Sequence, residues 1–346
     1  MRGFPRQVTL FSPEPRPSSA RDIRLPGGKV LRTTPVFDTY WRFAAERQEV
    51  FFRRLSGSAP PWTEDPVLRS FRFTNVYRAS DRVSQYLIRR VIYEGPQEEE
   101  EVFFRTLLFK LFNRIETWEM LEARLGPITW KSFDYERADA VLGAALQEGS
   151  RLYSAAYIMP SPLFGAARKH TNHLELLRRM MVDHAPRKVA SARSLREVFQ
   201  LLRSYPSLGD FLAFQFTIDL NYSELIRFEE AEFVVAGPGA RSGIGKCFSD
   251  TGGLGEDEVI HAVTRMAGQE FNRLGLGFRT LWGRELQPID CQNLFCEVDK
   301  YSRVMHPEAT PEGGRTRIKQ RYEARPVPVP HWYPPKWKLS PSASEK

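Results

Sequence analysis

From Pro35 onward the apolar positions of this chain recur every three or four residues, the spacing that lines one face of an α-helix. In VFDTYWRFAAERQEVFFRRL, residues Tyr40, Phe43, Ala44, Val50, Phe51 and Leu55 fall on such a stripe, and Gly57 ends it. RASDRVSQYLIRRVIYEG offers Ser80 as an N-cap and Val83, Leu87 and Val91 as a buried face, closing at Gly95. QEEEEVFFRTLLFKLFNRIETWEMLEARLG begins with glutamates, which a helix dipole favours at its start, so this acidic run reads as a solvated helix end rather than a metal site. Further helical patterns run over 135–149, 170–184, 193–204, 209–220, 256–274 and 289–303, whereas only RLYSAAYIMP and AEFVVAG read as strands. About ten helices joined by short turns, with no fixed-period repeat, make the chain mainly α with few short strands.

The texture divides the chain into three parts. Residues 1–33 are rich in Pro, Ser, Arg and Gly without a period and read as a flexible arm; 34–305 form the helical domain; 306–346 are a basic extension rich in Pro and aromatics. A length of 346 residues with 42% hydrophobic side chains is enough for a sizeable core. No window is apolar for long enough to span a membrane, and the first residues lack a signal-peptide core. An intracellular protein is expected, cytoplasmic or nuclear if eukaryotic, with no membrane partner. Cys247, Cys291 and Cys296 lack the C-x-x-C spacing of zinc or redox sites and read as reduced core thiols.

A formal charge of +8 changes the picture by making a polyanion a natural partner. GRTRIKQRYEAR and RPVPVPHWYPPKWK near the C-terminal end mix cations with Tyr and Trp, which either stack on unpaired bases or dock the tail on the body.

Several stretches are candidates for chemistry. In LLRSYPSLGDFLAFQFTIDLNY, two helical runs are separated by Pro206-Ser207-Leu208-Gly209, and Asp210 is placed to cap the second. This is either a tight corner or a hairpin whose free N–H groups hold a nucleic-acid phosphate through Ser207 and Gly209. AGPGARSGIGKCF approaches the P-loop pattern but has Ala240 in place of the first Gly and Cys247 in place of the metal-binding hydroxyl; a turn with Arg241 and Lys246 facing an anion is the better reading. His170 and His173 in KHTNHLELL lack a third ligand and read as a helix surface, so no metal site is expected. No G-x-S-x-G elbow is present.

Polar residues also fall within apolar surroundings. Gln215 and Asp219 are i, i+4 on an apolar helix, presenting an amide and a carboxylate to one wall. Asn293, Glu297 and Lys300 share a face beside Asp290, which is either a pocket wall or a surface face with a Glu297–Lys300 ion pair. FRFTNVYRASDR places Asn75, Tyr77 and Arg78 at a helix entry.

FRFTNVYRASDRVSQYLIR, LLFKLFNRIETWE, AAYIMPS, YPSLGDFLAFQFTIDLNYS, EFVVAGPGARSGI and LWGRELQPIDCQNLFCEVDKYSR, taken in order, resemble the helical domain of phage 5-hydroxymethyl-deoxyuridine DNA kinases and the related α-glutamyl/putrescinyl-thymine pyrophosphorylases over roughly 36–325. The resemblance implies a fold similar to helix-hairpin-helix DNA glycosylases, DNA containing modified bases as partner, and YPSLGD as the hairpin. Such glycosylases carry an essential Asp about twenty residues after the hairpin. Here that region reads RFEEAEFVVAGPGAR, with Gly237-Pro238-Gly239 at the helix entry, so the catalytic carboxylate is sought at Asp219 or Glu232, then Asp290.

Base chemistry in DNA begins by taking the base out of the stack. Asn75 and Gln215 would then pair with a pyrimidine edge, Tyr77 or Phe73 would stack, and Arg78 would clamp a phosphate. One expected reaction is phosphoryl or pyrophosphoryl activation of a 5-hydroxymethyl group, which requires ATP and magnesium; no cofactor is otherwise evident. The alternatives are excision of a modified base by an N-glycosylase, and a DNA-binding module without catalysis.

Overall fold

A computed structural model describes residues 20–323 and 331–339, which contain thirteen α-helices and one small sheet, so the protein is mainly α. The described residues form two compact units: 20–78 with 236–323 and 339, and 79–235 with 331–338. The stretch 34–305 is thus divided between them.

The first unit opens with a hairpin. Strands β1 (Asp22–Arg24) and β2 (Val30–Thr33) pair antiparallel around Gly27 and Gly28, whose φ values of 84° and 80° suit glycine; β3 (Phe248–Asp250) joins the other edge of β2. Residues 20–33 of the expected flexible arm are therefore structured, in strands too short to show a period of two; residues 1–19 lie outside the described residues. Helix α1 (Pro35–Leu55) starts where the Thr34 hydroxyl accepts from Val36 N–H and Pro35 occupies the first turn. The next, α2 (Pro66–Ser70), is capped twice by Asp65.

In the second unit the short α3 (Arg82–Tyr86) runs into a π-type segment, Leu87–Tyr93. Its displaced carbonyls at Val91 and Ile92, and that of Pro96, are taken up by the buried Arg105 guanidinium at 2.8, 3.0 and 2.7 Å. Ser80 does not cap α3; Asp81 precedes the helix, and Ser80 is buried against the Tyr333 hydroxyl at 2.8 Å. Then follow α4 (Glu99–Phe112), α5 (Ile115–Leu125), α6 (Tyr135–Gln147), α7 (Lys169–Val182), α8 (Ala185–Ala190), α9 (Leu195–Arg203) and α10 (Asp210–Leu220). The residues Leu212–Leu220 of α10 are all buried, as an all-round apolar helix requires, and α10 packs on α9 and α4.

The two stretches read as strands are irregular. Leu152, Met159, Phe233 and Val234 are buried, but by packing rather than in a ladder.

Back in the first unit, α11 (Pro238–Cys247), α12 (Glu256–Arg273) and α13 (Pro288–Met305) complete the helices. Helices α11 and α13 touch backbone to backbone at Gly243, where an added Cβ would lie 2.1 Å from the Phe295 carbonyl oxygen. Cys247 and Cys291 are buried and Cys296 half-buried, all unbridged; burial pushes their thiols up.

The described parts of the C-terminal extension are held at a few points, although most of 307–323 is exposed. In the first unit Tyr322 N–H donates to Ser70 and Arg72 N–H to Gln320. In the second, Trp332 N–H donates to Gln85, the Lys336 ammonium to the carbonyls of Ser223 and Ile226 at 2.7 and 2.8 Å, and Trp337 meets Tyr222 edge-on. These aromatics dock the tail.

Candidate functional site

Helix α10 brings the expected Gln215 and Asp219 inside the second unit, both at 0% exposure. Facing them from the last turn of α4 is Lys110, whose ammonium lies 3.0 Å from the Asp219 carboxylate and 2.9 Å from the Asn113 amide oxygen. Asn113 ends α4 with φ 49°, a conformation that Asn tolerates, and so turns its amide back toward the lysine. Tyr157, from the segment between α6 and α7, closes the cluster: its ring lies 4.6 Å from the ammonium, its hydroxyl donates to Gln215 Oε1 at 3.3 Å, and it stacks on Phe211. Two amides, a carboxylate, an ammonium and a phenol thus meet where the surrounding helices are apolar. This departure from apolar packing contains two of the expected site residues and is the second unit's candidate for chemistry.

The sequence reading missed Lys110, Asn113 and Tyr157. The signal was present: LLFKLFN sets one lysine within an apolar run, at a position that a buried helix tolerates only with a partner.

The hairpin between α9 and α10 is exposed at its tip. Ser207 has φ 68°, and Gly209, the residue preceding α10, offers no side chain to its first N–H groups. Asp210 does not cap; it lies within the first turn and pairs with Arg203, so its carboxylate stands at the helix mouth. Along α10, Asp219 follows nine residues later, about 13 Å deeper. Glu232 is exposed in a short 3-10 turn.

The other expected residues belong to the first unit, where they brace the segment 72–78 against α13. Asp290 caps α13 through Gln287 N–H at 3.0 Å and also accepts Arg78 N–H at 2.8 Å. Glu297 accepts Thr74 N–H at 3.0 Å, and the Lys300 ammonium reaches Glu297 at 2.7 Å and the Arg72 carbonyl at 2.8 Å. Asn75 accepts from Arg47 at 2.6 Å, Tyr77 is buried with its hydroxyl on the Arg284 carbonyl, and Arg78 is only 2% exposed. Asn293 is half-buried. Burial pushes the Tyr77 phenol well up, so it stays protonated.

The glycine-rich stretch is helix α11 and not a phosphate loop. Arg241 is exposed, but Lys246 is buried, 3.0 Å from Asp299, with Ser242 and Arg303 on the same carboxylate. Burial raises Asp299, yet these three partners outweigh it and hold the carboxyl below its ordinary range. Lys246 therefore does not face an outside anion, and this stretch does not fit ATP.

His170 and His173 are buried, contrary to a helix surface. His173 Nε2 meets the Pro160 carbonyl at 2.9 Å and Nδ1 the Tyr153 hydroxyl at 2.8 Å; burial pushes this imidazole down to about 4. It is neutral, with its proton on Nε2.

A family model described as "5-hmdU DNA kinase, helical domain" matches residues 34–311. A curated relative from Bacillus phage SP10, "5-hmdU DNA kinase", is 27% identical over 287 residues, which cover 77% of this chain and 45% of the relative. The chain thus spans less than half the length of that relative. No solved structure matches. Among the described residues, no helix is long and apolar enough to cross a membrane.

Proposed function

This chain belongs to the 5-hmdU DNA kinase helical-domain family, and from that premise we propose that it takes part in phosphorylating 5-hydroxymethyluracil in DNA by recognising the base and orienting its hydroxyl. The observation that carries the reading is the buried group of Lys110, Asp219, Gln215 and Tyr157 within the matched residues. A uracil edge offers two carbonyl acceptors and one N–H donor, which the Gln215 amide complements once Tyr157 gives way. Asp219 would accept the proton of the 5-hydroxymethyl O–H, leaving the oxygen directed at a phosphorus; the new P–O bond forms as the bond to the leaving nucleoside diphosphate breaks. Lys110 would hold the carboxylate in place and offset the negative charge that develops on the attacking oxygen beside it.

ATP with magnesium is the expected donor. The stretch nearest a P-loop does not fit it, so donor binding is assigned to a module outside this cluster; more than half of the phage relative lies outside the match. The ion-pair cluster supplies recognition in this scheme, and the DNA-facing hairpin supplies backbone contact.

The test uses duplexes carrying thymine, 5-hydroxymethyluracil or 5-hydroxymethylcytosine, with and without ATP and magnesium. Binding preference for the 5-hydroxymethyluracil duplex is the expected result, with ATP-dependent phosphate gain, read by nucleoside mass spectrometry, once a donor-binding module is supplied. Equal binding of all three duplexes without phosphate gain would sink the reading, and loss of the base without ATP would replace it with glycosylase chemistry.

A further inference from the structure

The segment between α6 and α7 carries the two most exposed large apolar side chains among the described residues, Ile158 at 81% and Leu163 at 97%. Its path is nevertheless anchored from below. His173 ties Tyr153 and Pro160 to α7, and the Asn172 amide holds Ala166 through both its N–H and its carbonyl, while reaching Ser161 at 3.2 Å. Buried polar side chains thus hold a loop whose tips gain nothing from burial, an arrangement that suits presentation to a partner.

Two further observations say which partner. Between Gly149 and Leu174 the sequence has no Asp or Glu, while Arg151 and Arg168 are exposed, so the segment faces outward with positive charge only. Ile158 also directly follows Tyr157, the residue that closes the Lys110–Asp219–Gln215 cluster. An apolar tip and the residue that closes the buried polar cluster are consecutive, about 3.8 Å apart along the backbone. A base that leaves a duplex for such a cluster leaves a gap in the stack, and apolar wedges fill gaps of that kind.

We infer that the segment Ser154–Gly165 inserts Ile158 and Leu163 into the base stack of duplex DNA beside the base that Gln215 and Asp219 receive. The inference rests on the proposed action on a base in DNA and adds the element that keeps the duplex open. The exposed arginines approach the flanking phosphates, while the apolar tips replace the stacking lost by the neighbouring pair.

The test places 2-aminopurine, whose fluorescence rises on unstacking, next to 5-hydroxymethyluracil in a duplex. The full chain is compared with an Ile158→Ser, Leu163→Ser double variant and with Leu146→Ser, which alters an exposed leucine at the end of α6. A several-fold rise that the chain and Leu146→Ser share and the double variant lacks, with duplex affinity kept within about threefold, supports the wedge. Binding without a rise, or a rise that survives the double variant, overturns the wedge and leaves the action on DNA standing. Loss of all duplex binding by the double variant alone makes the loop a docking surface and also overturns it. Failure of the unaltered chain to bind any duplex sinks both the wedge and the function it rests on.

Discussion

The Lys110 ammonium and the Asp219 carboxylate lie 3.0 Å apart, with their side chains only 4% and 1% exposed. Two charges removed from water in this way are stable only as a pair, because either one alone keeps its desolvation cost without the attraction that offsets it. Asn113 and Tyr157 add a hydrogen bond and a ring face to the ammonium, so the pair sits in a polar enclosure within apolar helices.

Removing one partner should therefore cost far more than removing both. Lys110→Met is expected to lose about 3–5 kcal/mol, whereas Lys110→Met with Asp219→Leu should recover most of that loss. Urea unfolding measures both at once. If the double variant remains as stable as the unaltered protein yet keeps its preference for 5-hydroxymethyluracil, the pair has no part in recognition.

The contact between α11 and α13 gives a sharper contrast. Gly243→Ala would drive a Cβ to within 2.1 Å of the Phe295 carbonyl oxygen, which is backbone and cannot swing aside, whereas nothing lies within 4 Å of a Cβ at Gly245. The first change should destabilise by about 3 kcal/mol or more. The second should stabilise by about 0.5–1 kcal/mol, because alanine loses less backbone freedom in a helix. Thermal unfolding of the two variants side by side checks this; equal melting temperatures would mean that the helices do not meet at Gly243.

The helical stripes could be read from the sequence because their spacing is local: 209–220 was expected and Asp210–Leu220 found, and 289–303 corresponds to Pro288–Met305. Position i, i+4 likewise put Gln215 and Asp219 on one buried face. What the sequence did not reveal depends on distant partners. Lys110 stands 109 residues before Asp219, and their pairing follows from how α4 and α10 pack, which no spacing encodes. Lys246 looked like an anion-facing cation because a Gly-rich run suggests a loop; Pro238 at a helix start and Gly243 at a close crossing explain that composition better. The 22–33 hairpin escaped notice because three- and four-residue strands carry too few positions to show alternation.

His173 links the loop 153–160 to pH. Its folded value of about 4 lies below the 6.5 of an ordinary histidine, mainly through burial, with the charges of Lys169 and His170 acting in the same direction and the Pro160 carbonyl against them. The unfolded chain thus takes up the proton first. Stability is undiminished above about 6.5 and falls as the pH drops toward 4, by a ceiling of about 3 kcal/mol. Relative to the intrinsic amide exchange rate at each pH, residues 150–166 should lose protection over that window, and His173→Gln should flatten the dependence. Protection that is constant between pH 7 and 4 in the unaltered protein would show that His173 does not anchor the segment.

The exposed hairpin makes the last prediction, and it turns on Asp210. Its carboxylate stands in the first turn of α10, paired with Arg203 in an arrangement about half exposed on both sides. Such a pair contributes at most about 1 kcal/mol, and a carboxylate near a helix start about 0.3–1 kcal/mol. Asp210→Ser should therefore leave the fold intact while removing the negative charge from the N–H groups after Gly209 and releasing the Arg203 guanidinium. If that helix mouth meets a phosphate, duplex affinity should rise and its dependence on salt should steepen, since one more cation then takes part in counterion release. Titration of a fluorescent duplex at several salt concentrations reads both quantities. An affinity and slope identical to those of the unaltered protein would make Pro206-Ser207-Leu208-Gly209 a corner between two helices and no more.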